Sequence, residues 1–191
     1  MCESHYTAFD RWVARWRHRV ARQHITPNSR VCDVGCGVDA LFLKEIMAIT
    51  RCRVGLDSQP VSAQLPDTHF IRADVREGFP LQSAAFDHVA LLAVMEHLED
   101  PTVVFREAHR VLVPGGSLIV TWPHDWVTPV VIALMKLGIV SPTTEVDKHQ
   151  PGKPAAHWVH LLEDIGFHAV THRTFEFGLN NLLVAWKPSE K

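Results

Sequence analysis

Apolar residues at positions Phe9, Trp12, Val13, Trp16 and Val20 recur at helical spacing, with Arg11, Arg15, Arg19 and Arg22 between them. This pattern predicts an amphipathic helix with one apolar and one basic face. Thr26-Pro27-Asn28 stops it, and residues 31–34 then read as a short buried strand running into glycines. Asp39 is placed to cap a second helix through Leu41, Phe42, Lys44, Glu45 and Met47. Further strands are predicted over 53–56, 69–71 and 86–92. Asp100-Pro101 opens a helix through Val104, Phe105, Ala108 and Val111, and 117–121 makes a fifth strand. Between the second and third strands about a dozen residues remain, Pro60 and Pro66 among them, which leaves room for a helix of a turn or two. A last helix over 155–165 ends at Gly166, and the apolar segments 167–172 and 179–186 form a hairpin at the sheet edge.

Alternation of strand and helix demands a parallel sheet covered on both faces. With 191 residues, 47% of them hydrophobic, the chain is long enough for one core and short for two domains. We expect a single domain over 1–191, with 1–27 as a helical cap and 123–153 as a proline-punctuated hydrophobic insertion or lid. The formal charge of -2 and pI near 6.7 carry no footprint of nucleic-acid binding. Cys2, Cys32, Cys36 and Cys52 form no CxxC pair, and no secretory signal leads the chain, so a reducing, cytoplasmic setting is the expectation. The apolar stretch 126–140 contains Pro129 and Lys136 and is too short to span a bilayer. Trp with Arg on the first helix, and the stretch 126–140, leave peripheral membrane contact open beside the plainer readings of a sheet cap, a lid or a dimer surface.

The chemistry concentrates at Asp33-Val34-Gly35-Cys36-Gly37-Val38-Asp39, where a strand runs into a glycine turn. In such sheets ligands bind beyond the carboxyl ends of the strands. Gly35-x-Gly37-x-x-Ala40 on its own also fits a dinucleotide fingerprint. Asp33 argues otherwise. A carboxylate two residues before the first glycine repels a pyrophosphate and suits a ligand bearing an ammonium, and S-adenosylmethionine carries an ammonium and no phosphate. Asp57, at the end of the second strand, can accept from a ribose diol and fits either cofactor.

Taken together, Asp33-x-Gly35-x-Gly37, Asp57, Asp74, Phe86-Asp87, Glu96-His97-Leu98-Glu99-Asp100-Pro101 and Leu112-Val113-Pro114-Gly115-Gly116 resemble class I S-adenosylmethionine-dependent methyltransferases, in particular their small-molecule group. The resemblance implies a doubly wound, mostly parallel seven-stranded sheet in three α/β/α layers with a C-terminal antiparallel hairpin. It implies that Gly35, Cys36 and Gly37 pass under the methionine portion of the cofactor, with Asp33 holding its amino group. Asp57 would take the ribose hydroxyls with Ser58 beside it. Asp74 would accept from the adenine amino group while the Val75 amide serves a ring nitrogen, and Leu92 and Ala93 would line the methionine end. Many relatives have a third glycine where this chain has Asp39.

Methyl transfer is an in-line displacement in which positioning supplies much of the acceleration. A base is needed only for a weakly acidic acceptor, and His97, His124 and His149 are the nearest histidines; His97 and His149 are equally readable as ordinary loop residues. Some methyltransferases resembling this chain hold a divalent cation on Glu-x-x-Glu-His plus a later histidine, but Ala93 stands in for the first glutamate, so no metal is expected. The expected activity is methyl transfer to a small-molecule or lipid-linked acceptor. A nicotinamide-dependent oxidoreductase and a non-catalytic methyltransferase-like binding module are the alternatives.

Overall fold

The computed structural model describes residues 8–124 and 154–189. Its frame is a seven-stranded sheet in the order β3-β2-β1-β4-β5-β7-β6, built from β1 (Ser29–Val34), β2 (Thr50–Asp57), β3 (Thr68–Arg72), β4 (Phe86–Leu92), β5 (Leu112–Pro123), β6 (His168–Phe175) and β7 (Asn180–Trp186). The first five strands run parallel. β7 is antiparallel to both β5 and β6 and closes the sheet as the predicted hairpin. Helices α1 (Ala8–Arg22), α2 (Leu41–Ile46), α3 (Thr102–Val111) and α4 (Ala155–Ile165), with 3₁₀ turns at Val75–Glu77 and Met95–His97, complete the described elements.

Two apolar cores lie on opposite faces of the sheet. Val104, Phe105, Ala108 and Val111 of α3, with Trp158 and Leu162 of α4, pack on Cys32, Val34, Val89, Leu91, Leu118, Val120 and Leu183. Val20 and Ala21 of α1 and Phe42, Leu43 and Ile46 of α2 pack on the alternate set, Val31, Ala90, Ile119, Leu182 and Val184. A sheet buried on both faces needs apolar residues at successive positions, which is why β1 and β4 read as continuous runs and not as alternating ones. The three layers follow from that pattern. They also set the face of each strand residue: Asp33, between Cys32 and Val34, lies on the α1–α2 side.

Several expectations hold in detail. β4 occupies 86–92, and Asp100 Oδ1 accepts the Thr102 N–H at 2.9 Å to start α3. α4 ends at Gly166, whose N–H donates to Leu162 and Glu163 carbonyls while Phe167 N–H returns to Leu162 O at 3.0 Å, a Schellman-type stop.

Two expectations fail. Asp39 does not cap α2: Ala40, in the left-handed region at φ +46°, precedes Leu41, and no side chain caps the helix. The turn is closed instead by Ala40 N–H on Gly37 O, 3.2 Å. The β2–β3 crossover holds no helical turn at all. Buried Arg53 does that work, donating through Nη1 to Thr50 O (3.0 Å) and Thr50 Oγ1 (2.8 Å), through Nη2 to Pro66 O, and through Nε to Thr68 Oγ1 (2.9 Å). The guanidinium ties the end of the helix-free crossover, at Pro66 and Thr68, to the start of β2 at Thr50.

At the amino ends of the strands, Asp87 accepts from Arg30 N–H (2.7 Å), Nε (3.1 Å) and Nη2 (3.0 Å), so this residue of the resemblance holds the fold. His88 Nε2 accepts the Thr26 N–H at 3.1 Å and its Nδ1 meets Ser117 Oγ at 2.8 Å, anchoring the chain that leaves α1. No helix among the described residues is long and apolar enough to cross a membrane.

Candidate functional site

The carboxyl ends of β1, β2 and β4 converge on the glycine turn. Gly35 N–H and Cys36 N–H both donate to Leu56 O, at 2.8 and 3.1 Å, which folds the chain leaving β1 back across β2. Gly35 and Gly37 take φ of +73° and +71°. At Gly35 a Cβ would sit 2.5 Å from Val94 Cγ2, so the turn lies flush against the loop after β4. At Gly37 a Cβ would meet nothing within 4 Å. One glycine serves packing and the other borders open space.

Asp57 fixes that turn. Its Oδ2 accepts the Gly37 N–H at 2.8 Å and its Oδ1 the Gln59 N–H at 2.8 Å. A carboxylate has about four lone-pair sites, so acceptor capacity remains for a ligand. Asp33 is only 2% exposed. Burial, reinforced by the charge of Asp57, pushes its carboxyl well above the ordinary value. Such a group gains most when a cation arrives. Cys32 and Cys36 are buried, free thiols whose ionisation burial likewise opposes.

The remaining expected residues are less uniform. Ser58 is exposed and its carbonyl accepts Arg72 Nε at 3.0 Å. Asp74 caps the 3₁₀ turn Val75–Glu77, and both its oxygens are engaged by Arg76, whose hydrogen bonds lower the carboxyl to about 2. Leu92 ends β4, and Ala93 follows at φ +60° with its N–H on Thr121 O, 3.0 Å. The structure therefore brings Asp33, Gly35, Cys36, Gly37, Asp57 and, through Val94, the Leu92–Ala93 end of β4 into one neighbourhood. His97 closes the 3₁₀ turn Met95–His97 and is exposed. His149 and most of 123–153, including the stretch 126–140, lie outside the described residues.

A group of which the sequence motifs include only Glu96 lies beside this neighbourhood, on the α1 side. Arg17 of α1, Glu96 of the Met95–His97 turn, Thr121 of β5, Glu176 between β6 and β7, and Asn180 of β7 each keep a buried side-chain polar atom without a hydrogen-bond partner. Glu176 accepts from Asn180 Nδ2 through its other oxygen. Burial pushes the carboxyls of both Glu96 and Glu176 up, with Arg17 opposing. Only the Glu-His pair was marked in the sequence; Arg17, Thr121 and the Glu176–Asn180 pair are far from it and from one another along the chain.

Residues 32–120 match the family model described as a methyltransferase domain. The matched span starts in β1 and ends in β5, enclosing the glycine turn, Asp57 and the loop after β4. Over those residues, a little under half of its length, the chain is similar to methyltransferase domains. A ubiquinone biosynthesis O-methyltransferase of Xanthomonas campestris is 30% identical over 129 residues, covering 62% of this chain and 52% of that protein. Its counterpart in Xanthomonas oryzae is 32% identical over 120 residues, covering 58% and 48%. The chain thus spans about half the length of the curated relatives it matches. An S-adenosylmethionine-dependent methyltransferase of Mesorhizobium loti has the same fold at TM-score 0.69, with 17% identity, covering 88% of this chain and 96% of its own. Phosphoethanolamine N-methyltransferase 2 of Haemonchus contortus, solved with S-adenosyl-L-methionine, superposes at TM-score 0.70 with 12% identity, covering 92% and 53%. The cofactor of the family is S-adenosylmethionine, and the mostly parallel seven-stranded sheet with its antiparallel hairpin is the one the resemblance implied.

Proposed function

We propose that this chain binds S-adenosylmethionine beyond the carboxyl ends of β1, β2 and β4 and methylates a hydroxyl oxygen of a small-molecule or lipid-linked acceptor. The carrying observation is Asp33, a carboxyl 2% exposed on the central strand beside a glycine turn that borders open space at Gly37. An ammonium there would meet a buried carboxylate; a pyrophosphate would be repelled by it, which disfavours a nicotinamide dinucleotide.

In this reading Gly35, Cys36 and Gly37 run beneath the methionine portion, Asp33 holds its amino group, and Asp57 accepts from the ribose hydroxyls with the lone pairs left by Gly37 and Gln59. Ser58 borders the ribose. Asp74 and the Val75 amide serve the adenine, and Leu92 and Ala93 the methionine end. When bound, the cofactor supplies an electrophilic methyl group on a sulfonium. The chain's contribution is to bind, orient and exclude water, since the transfer needs no protein nucleophile. A hydroxyl acceptor also sheds a proton, for which His97 and His149 are the proposed bases. Oxygen as the acceptor atom is supported by the names of the Xanthomonas relatives. Thermal-shift comparison of S-adenosylhomocysteine with NAD tests the cofactor: stabilisation by the first alone is expected, and stabilisation by NAD alone would overturn it.

A reading of peripheral membrane contact from a single cytoplasmic domain has its own support. Trp12 is 51% and Phe177 88% exposed, flanked by exposed Arg15, Arg19 and Arg22. Trp16 stacks edge-on with both rings, at 5.2 Å from Trp12 and 5.8 Å from Phe177. Aromatic and basic side chains on one surface suit an anionic interface. Sedimentation with anionic but not zwitterionic vesicles, lost on Trp12→Ser with Phe177→Ser, is expected; sedimentation unchanged by these substitutions would refute it.

A further inference from the structure

Buried polar atoms in proteins almost always have partners, and each exception calls for an explanation. Five such exceptions lie on one side of the sheet: Arg17 Nε, Glu96 Oε2, Thr121 Oγ1, Glu176 Oε1 and Asn180 Oδ1. Thr121, Glu176 and Asn180 are 0%, 3% and 4% exposed. Their positions connect. In the β5–β7 pair Thr121 faces Leu182 and Pro123 faces Asn180, so Thr121 and Asn180 are diagonal neighbours on one face. Leu182 on that face belongs to the core beneath α1. Asn180 donates to Glu176, and the guanidinium of Arg17 acts on both Glu96 and Glu176.

The group also adjoins the end of the site where methyl transfer is placed. Thr121 is the β5 partner of Leu92, its carbonyl accepts the Ala93 N–H, and Glu96 lies in the turn that follows. The turn carrying Glu176 is held in an uncommon form: Glu176 and Phe177 take φ of +53° and +57°, with Gly178 at +83°. Two non-glycine residues in the left-handed region are strained, and strain of this kind gathers at ligand-binding sites. It buries Glu176 while leaving Phe177 outside.

We infer that Thr121, Glu176 and Asn180, with Arg17 and Glu96 beside them, form the subsite that recognises the acceptor by accepting hydrogen bonds from its hydroxyl groups. The inference rests on the methyltransferase reading and deepens it. The open valences decide the chemistry: three are carbonyl or carboxylate oxygens, one is a hydroxyl, and one alone is an obligate donor. Two carboxyls stand against one guanidinium, so an uncharged, hydroxyl-bearing group fits and a carboxylate or phosphate does not. The raised carboxyls of Glu96 and Glu176 agree with a site that disfavours further negative charge. α1, which carries Arg17, covers this side of the hairpin: Val20 and Ala21 share a core with Leu182 and Val184, and Trp16 meets Phe177 ring to ring.

The test uses the full chain saturated with S-adenosylhomocysteine and titrated, by NMR, with catechol and with benzoate, rings of similar size that differ in offering hydroxyl donors or a carboxylate. Catechol is expected to bind at least about tenfold more tightly than benzoate, a factor appropriate to one lost polar partner and one buried like charge. Thr121→Val, which keeps shape and removes only the hydroxyl, and Glu176→Gln are each expected to weaken catechol about fivefold or more with S-adenosylhomocysteine affinity unchanged. Equal affinity for the two probes, no catechol binding, or unaltered catechol affinity in the folded Thr121→Val variant overturns the subsite while leaving the cofactor reading intact. Failure of S-adenosylhomocysteine to bind the wild-type chain overturns both.

Discussion

Replacing Asp33 by Asn separates the cofactor role proposed for this carboxylate from its effect on the fold. Asn has the same shape and cannot ionise. In the folded chain burial and Asp57 raise the Asp33 carboxyl well above its ordinary value, so the folded state binds this proton more tightly than the unfolded state. The sign follows: the contribution to stability is fully present below the unfolded value, about pH 3.9, and is lost as pH rises toward the folded value. One proton lost costs about 1.4 kcal/mol per pH unit in that window. The wild type should therefore lose melting temperature relative to Asp33→Asn by about 3 °C per unit for a chain of this length, and be the less stable of the two at neutral pH. Glu96 and Glu176 share the direction but are common to both proteins and cancel in the comparison. Cofactor affinity should move the other way. A charge-assisted hydrogen bond contributes about 1.5–3 kcal/mol, so Asp33→Asn should weaken S-adenosylmethionine binding by about 10- to 150-fold. Calorimetric melts from pH 4 to 8 and titration of both proteins read the two effects. A variant no more stable than wild type at neutral pH, yet unchanged in cofactor affinity, would refute the reasoning at both ends.

The two glycines should part company. Gly35→Ala meets both the left-handed backbone and Val94 at 2.5 Å, and is expected to lower stability by about 2–4 kcal/mol in denaturant titration. Gly37→Ala meets only the backbone term, about 1–2 kcal/mol, but puts a methyl group into the open space and should depress cofactor affinity more than stability. Arg53→Met strands the Thr50 and Pro66 carbonyls and should cost about 3 kcal/mol or more by chemical unfolding, the loss arising in the helix-free crossover. Arg76→Ala releases Asp74, whose carboxyl should climb from about 2 toward its ordinary value in an NMR titration, with stability nearly unchanged because the pair is exposed.

The sequence carried this fold where the relevant information was local. The bounds of β4, the Asp100 start of α3 and the Gly166 stop of α4 are each written within a few residues of one another, as periodicity or as a capping residue. Asp39 misled for a physical reason: a capping side chain requires the chain to enter the helix in extended form, whereas Ala40 enters in the left-handed region after the Gly37 turn. The missing crossover helix was legible only as a shortage of residues. What replaces it, the Arg53 guanidinium reaching Pro66 and Thr68, is a non-local partnership that no spacing announces. The candidate site divides the same way. Asp33, the glycines and Asp57 sit at strand ends where pattern and chemistry coincide, and the structure brings them together. Arg17, Thr121 and the Glu176–Asn180 turn are widely separated along the chain, and the sheet order, with β7 inserted beside β5, brings Thr121 and Asn180 together. Asp74 is a candidate by its position after β3, but its tie to Arg76 is a side-chain choice invisible before folding.

The central claim is that the buried Asp33 carboxyl and the open Gly37 turn make a site for S-adenosylmethionine. Isothermal titration of the wild-type chain with S-adenosylmethionine, with NAD as the comparison ligand, tests it most directly. Saturable binding of S-adenosylmethionine at a stoichiometry near one, with none for NAD, is the predicted result; a folded protein that shows no heat of binding at millimolar S-adenosylmethionine would contradict it.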